Sequence, residues 1–76
     1  MQIFHDRLRE TRKKSNILQK DVAARLKLPL RTYQSYEYGE AEPSLQTLVN
    51  IARLFEVSLD YLAGLTNSEQ RIVNSE

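Results

Sequence analysis

Apolar residues recur along this chain at three- and four-residue intervals, in five stretches separated by short polar breaks. In the first, from about Ile3 to Lys14, Phe4, Leu8 and Thr11 share one face, with Arg7, Arg9, Glu10, Lys13 and Lys14 outside it. Ser15-Asn16 ends that helix, because asparagine tolerates the left-handed conformation that helix ends need. The second stretch, Gln19 to Leu26, turns Val22, Ala23 and Leu26 inward. After the short break Lys27-Leu28-Pro29, a third runs from Leu30 to Tyr38, with Tyr33 and Tyr36 on one side and Gly39 as its stop. Beyond the loop Glu40-Ala41-Glu42-Pro43, Ser44 reads as the N-cap of a fourth helix with the buried stripe Leu45, Leu48, Ile51, Ala52 and Phe55. Ser58 caps a short fifth helix, Leu59 to Ala63, closed by Gly64, with Asp60 in the first turn, where the helix dipole favours an anion. Thr66 and Glu69 have capping-box spacing, so the residues beyond Gly64 read as a sixth short helix or as a frayed tail. The expectation is one all-α domain over residues 1–65, with 66–76 a C-terminal tail or a short dimerisation helix.

The composition removes several kinds of chemistry. Without cysteine there is no disulfide framework, thiolate zinc site or cysteine nucleophile. A lone histidine, His5, is too few for a His-rich metal site, and Gly39 and Gly64 alone make no glycine-rich phosphate loop. Neither metal nor cofactor is expected. Catalysis would require a nucleophile with its base or paired carboxylates. His5, Asp6 and Glu10 are close in sequence, but His5 and Asp6 diverge on a helix surface, so the chain reads as no enzyme. No apolar run approaches the ~20 residues of a membrane span, and no basic-then-apolar signal opens the chain. These features point to a soluble cytoplasmic protein with no membrane partner.

Charge is segregated. Residues 1–36 hold nine cations against three anions, a net +6, and the remainder carries −5, although the whole chain is only +1. Such asymmetry points to an anionic partner for the N-terminal half, and nucleic acid is the common one.

Two short helices separated by about three residues are the geometry of a helix-turn-helix. Ala23 is small where the first must approach the second, and Val22, Leu26, Leu28, Tyr33 and Tyr36 supply apolar side chains where they pack. At this point the chain resembles a family, the Cro and repressor type (Xre) helix-turn-helix proteins. The matching marks are Arg7-Leu8-Arg9, Arg12, Gln19, Val22-Ala23, Leu26, Thr32, Tyr36-Glu37, Gly39, Pro43-Ser44-Leu45, Thr47-Leu48, Ile51-Ala52 and Val57-Ser58-Leu59-Asp60-Tyr61-Leu62. They are spread from Phe4 to about Leu65, over all five elements. The resemblance implies a compact five-helix, lambda-repressor-like DNA-binding domain with the helix-turn-helix at helices 2 and 3. The sequence departs from the family pattern in four places. Lys27 replaces the usual glycine of the turn, Leu18 the usual Ser or Thr cap of helix 2, Pro29 the polar cap of helix 3, and Asn16 a frequent glycine. A left-handed Lys27 costs about 1 kcal/mol relative to glycine.

A recognition helix enters the major groove with its N-terminal residues nearest the bases. By the resemblance, Leu30, Arg31, Gln34 and Ser35 are the candidate base readers. Arg31 leads, because a guanidinium bonds guanine O6 and N7 together. Gln34 suits adenine or a phosphate, and Leu30 a thymine methyl. Gln19, Lys20, Arg12, Lys14, Lys27, Thr32 and Tyr38 are candidate phosphate contacts. The resemblance also implies a structural pair, Arg12 with Glu37, joining helix 1 to the end of helix 3. The two carboxylates of the loop after helix 3, Glu40 and Glu42, oppose close approach to a phosphate backbone there.

The resulting reading is a sequence-specific regulator of transcription, a steric repressor binding double-stranded DNA as a homodimer on a palindromic site. Leu59, Leu62, Leu65, Ile72 and Val73 are the dimer candidates. The alternatives are an antitoxin, which also binds a protein partner, and a protein-interaction module that kept the fold without DNA binding.

Overall fold

The computed structural model describes residues 2–69. Five helices follow in order: α1 Gln2–Lys14, α2 Gln19–Arg25, α3 Leu30–Tyr38, α4 Leu45–Phe55 and α5 Leu59–Ala63. Local chemistry sets most of their ends. Ser44 and Ser58 stand in extended backbone before α4 and α5, and their hydroxyls accept from the amides of Thr47 and Tyr61. Gly39 and Gly64 close α3 and α5 in the left-handed conformation, at φ 79° and 87°. Leu18 precedes α2 with no side-chain cap. Asn16 and Lys27 are left-handed at φ 58°, as their places after α1 and α2 require, and Glu56 after α4 adopts φ 57°.

Burial gathers all five helices around one core. Phe4 and Leu8 of α1, Val22 and Ala23 of α2, Tyr33 and Tyr36 of α3, Ile51 and Ala52 of α4, Val57, and Tyr61 and Leu62 of α5 form it. Leu26, Leu28, Leu48, Leu54 and Phe55 pack against it partly exposed. Full burial of each large apolar side chain contributes about 1.5–3 kcal/mol. Helix α1 is the hub, packing against both α3 and α5, while α2 packs on α3 and α4 on α5.

Three sequence expectations are corrected. Leu45 is 72% exposed and lies outside the core stripe of α4, because it is the first helical residue after the Ser44 cap and the described residues leave that turn uncovered. Leu62 is 0% exposed, so it completes the core of the single chain and offers nothing to a second copy. No capping box forms between Thr66 and Glu69, and residues 65–69 are not helical. Thr66 Oγ1 instead accepts from the Ser68 amide at 3.2 Å, and the Glu69 carboxylate pairs with Lys14. Ile72 and Val73 lie outside the described residues.

The segment after α5 is fastened to the body. The guanidinium of Arg7 lies 4.3 Å from the centroid of the Tyr61 ring. It donates to the carbonyls of Tyr61 at 2.5 Å and Thr66 at 2.7 Å, and to Asn67 Oδ1 at 2.8 Å. The Ser58 amide donates to the Glu69 carbonyl at 3.1 Å.

Candidate nucleic-acid interface

The side chains that fix α3 radiate from one buried carboxylate. Glu37, in the last turn of α3, is 0% exposed. Its Oε2 accepts from Arg12 Nε at 2.5 Å and from the Tyr33 hydroxyl at 2.5 Å. Its Oε1 accepts from Arg12 Nη2 at 3.2 Å and Gln19 Nε2 at 2.9 Å. Burial alone raises the pKa of this carboxyl. The hydrogen bonds from Arg12, Tyr33 and Gln19 outweigh it and hold Glu37 below the usual carboxylate range. In return, the bond to Glu37 raises the pKa of Arg12 against the opposing effect of burial. Burial, reinforced by the same carboxylate, pushes the Tyr33 phenol up. Arg12 also donates to the Ile17 carbonyl at 3.1 Å, so one guanidinium ties α1 to α3 and to the entry of α2.

The network continues outward to the face that α2 and α3 share. Gln19 Nε2 also donates to the Tyr38 hydroxyl at 3.3 Å, and Gln19 Oε1 accepts from Gln34 Nε2 at 3.0 Å. Gln34 is thereby oriented, through Gln19, by the buried Glu37. The far end of α3 is held as well. Nδ1–H of buried His5 donates to the Tyr36 carbonyl, and Arg9 donates to the Glu37 carbonyl at 2.9 Å and to Asp6 at 2.9 Å. His5 packs edge-on against Phe4, ring centroids 5.2 Å apart. The roles of His5 and Arg9 at the end of α3 escape sequence reasoning, because their partners lie about thirty residues away and no local pattern marks them.

The first turn of α3 faces outward. Leu30 is 41% exposed and Arg31 is exposed, with no carboxylate partner for Arg31 among the described residues. Tyr38 is 57% exposed, and its hydroxyl accepts from Gln19 while keeping its proton free to donate. Ser35 is turned inward along its own helix, where its hydroxyl donates to the Thr32 carbonyl at 2.6 Å. Thr32 is half-buried.

The phosphate candidates of the sequence separate into distinct places. Lys20 stays exposed beside Gln19. Lys14 pairs with Glu69, on the side where the C-terminal segment returns. The Arg12 side chain is 13% exposed and committed to Glu37 and Ile17, and both polar atoms of the Gln19 amide have partners. These two position α3 rather than stand free. Lys27 lines a groove between the end of α2 and the C-terminal half of α4, whose lining includes neither Leu30 nor Arg31. The charge segregation seen in the sequence is therefore partly internal: Arg7, Arg9, Arg12 and Lys14 all have partners within the domain.

Among the described residues no helix is long and apolar enough to cross a membrane. A protein-family profile described as helix-turn-helix matches residues 8–62. The chain is 38% identical over 68 residues to the uncharacterized HTH-type transcriptional regulator YqaE of Bacillus subtilis, covering 90% of this chain and 59% of that protein. It is 40% identical over 65 residues to the HTH-type transcriptional regulator AnsR of the same organism, covering 86% and 56%. It is 39% identical over 59 residues to the cryptic phage CTXphi transcriptional repressor RstR of Vibrio cholerae, covering 78% and 53%. The chain thus spans little more than half the length of these relatives. From Leu8 to Leu62, through all five helices and the turn between α2 and α3, it belongs to the helix-turn-helix family of the Cro and repressor (Xre) type.

Proposed function

We propose that this chain binds double-stranded DNA sequence-specifically and represses transcription as a homodimer on a palindromic operator in the cytoplasm. The observation that carries the reading is the first turn of α3. Its Leu30 and Arg31 point outward on a helix whose inner side is locked by the Glu37 network. A major groove admits one α-helix, and locking its side chains beforehand reduces the ordering cost of binding. Arg31 reads guanine, Leu30 packs on a thymine methyl, and Gln34, oriented by Gln19, reads adenine. Lys20, Tyr38 and Thr32 contact phosphates. The names of the relatives, transcriptional regulators with a phage repressor among them, support the same reading.

One module reads few base pairs, so two copies on half-sites one turn apart supply specificity. Leu59 and Leu65 are the exposed apolar residues beside α5 that a second copy would cover. A groove of ≈ 340 Å³ between α4 and α5, lined by Val49, Ala52, Val57 and Leu59 together with Arg53, Ser58 and Asp60, offers it a mixed apolar and charged receptacle.

The test is a titration of duplex DNA at increasing salt. With Lys20 as the charged phosphate contact of each copy, two per dimer, affinity falls about tenfold between 50 and 200 mM salt. Arg31→Ala should abolish the preference for one duplex over another and leave most of that salt dependence in place. An affinity that does not change with salt overturns the reading.

A further inference from the structure

A second cationic surface has neither Leu30 nor Arg31 in its lining. An open groove of ≈ 450 Å³ runs between the last turn of α2 and the C-terminal half of α4, lined by Arg25, Leu26, Lys27, Asn50, Arg53 and Leu54. The lining contains three cations and no carboxylate. Among the described residues, none of the three forms an ion pair. Leu26 and Leu54 are only partly buried and give the groove an apolar floor. Lys27 stands at φ 58°, where glycine is free of strain and lysine is not. A charged side chain is thus kept there at a cost in stability, and such cost is commonly found at functional positions.

The mixed lining argues for the chemistry of the occupant. Arg25 and Arg53 lie in the last turns of α2 and α4, where the helix dipoles are negative. The negative dipole ends oppose phosphate and carboxylate alike and are offset by the three cations; the apolar floor separates the two, because a phosphate backbone has no aliphatic side chain to pack on it. Dipole complementation accounts for the two arginines but for neither the leucine floor nor Lys27. Carboxylates flanking an aliphatic side chain fit all of these features. We propose that this groove docks an acidic segment of a partner protein that anchors itself by an aliphatic side chain. The proposal goes beyond DNA binding and does not depend on it.

The test uses the isotope-labelled chain and a defined probe, a peptide of repeating Glu-Glu-Leu, followed by amide chemical shifts. The expected result is shifts confined to Leu26, Lys27, Asn50, Leu54 and their neighbours. A Lys-Lys-Leu peptide should give none, and an all-glutamate peptide should bind more weakly. The double variant Arg25→Ala/Lys27→Ala should weaken the peptide about tenfold or more. It keeps the backbone strain of Lys27 unchanged and leaves Arg53, which also borders the α4–α5 groove, in place. Its amide spectrum away from the substituted residues should remain that of the parent. No shifts, shifts at the first turn of α3 instead, equal binding of all-glutamate, or unchanged affinity in the double variant each overturn the proposal. So does a duplex that shifts the groove amides and loses affinity in the double variant, because the groove is then DNA surface.

Discussion

Replacing Glu37 by glutamine keeps the shape of the side chain and removes its charge. Each carboxylate oxygen of Glu37 accepts from two donors: Arg12 Nε and the Tyr33 hydroxyl on one, Arg12 Nη2 and Gln19 Nε2 on the other. Whichever oxygen becomes an NH₂ group confronts two donors, and the Arg12 side chain, 13% exposed, loses the counter-charge of Glu37. Breaking a buried pair by removing one partner costs about 3–5 kcal/mol. A domain of this size is stable by only about 4–11 kcal/mol at the usual ~0.05–0.15 kcal/mol per residue. Glu37→Gln should therefore lose a large part of the total, read as the urea midpoint of circular dichroism at neutral pH. In a double-mutant cycle, Arg12→Met with Glu37→Gln should show a coupling of about 2 kcal/mol. The pH dependence carries a sign. The native pKa of Glu37 lies below its unfolded value, so its contribution is present above the unfolded pKa and is lost as pH falls through the lower native value. The gap between parent and Glu37→Gln should accordingly narrow in acid, starting near the ordinary value of 4.5. A loss below about 1 kcal/mol, or a gap that does not change with pH, would refute this reasoning.

Three further outcomes rest on single observations. Lys27→Gly should stabilise the fold by up to about 1 kcal/mol in urea unfolding, because φ 58° is unstrained only for glycine; destabilisation would contradict it. Thr11 is buried and its hydroxyl has no partner among the described residues, so Thr11→Val should raise stability by about 1 kcal/mol on the same assay. Arg7→Ala should release residues 66–69, and the Ser58 amide, bonded to the Glu69 carbonyl, should exchange with solvent about tenfold faster while the core amide of Val22 is unchanged.

The helix order was legible because its punctuation is local. Ser44, Ser58, Gly39 and Gly64 each act on residues within one turn, so caps and stops can be read in isolation. Leu45 shows the limit of periodicity, which cannot tell whether anything packs over the first turn of a helix. Glu56 adopts a left-handed backbone without the glycine or asparagine that would announce it. The charges were the least legible. Arg7 and Lys14 find partners more than fifty residues away, and Lys27 groups with Arg53 across the fold, so a run of cations in sequence is several surfaces in space. The Arg12–Glu37 pair was reachable only through the family resemblance, and its extension through Gln19 to Gln34 came from the fold alone. Those links give α3 its fixed presentation.

The central claim is that this presentation reads DNA. It is tested most directly by selecting bound duplexes from a random library at physiological salt, with Arg31→Ala carried in parallel. The account predicts enrichment of a palindrome with half-sites about one helical turn apart, containing a guanine whose enrichment Arg31→Ala abolishes. A folded chain that enriches no sequence, or the same sequence with and without Arg31, would contradict it.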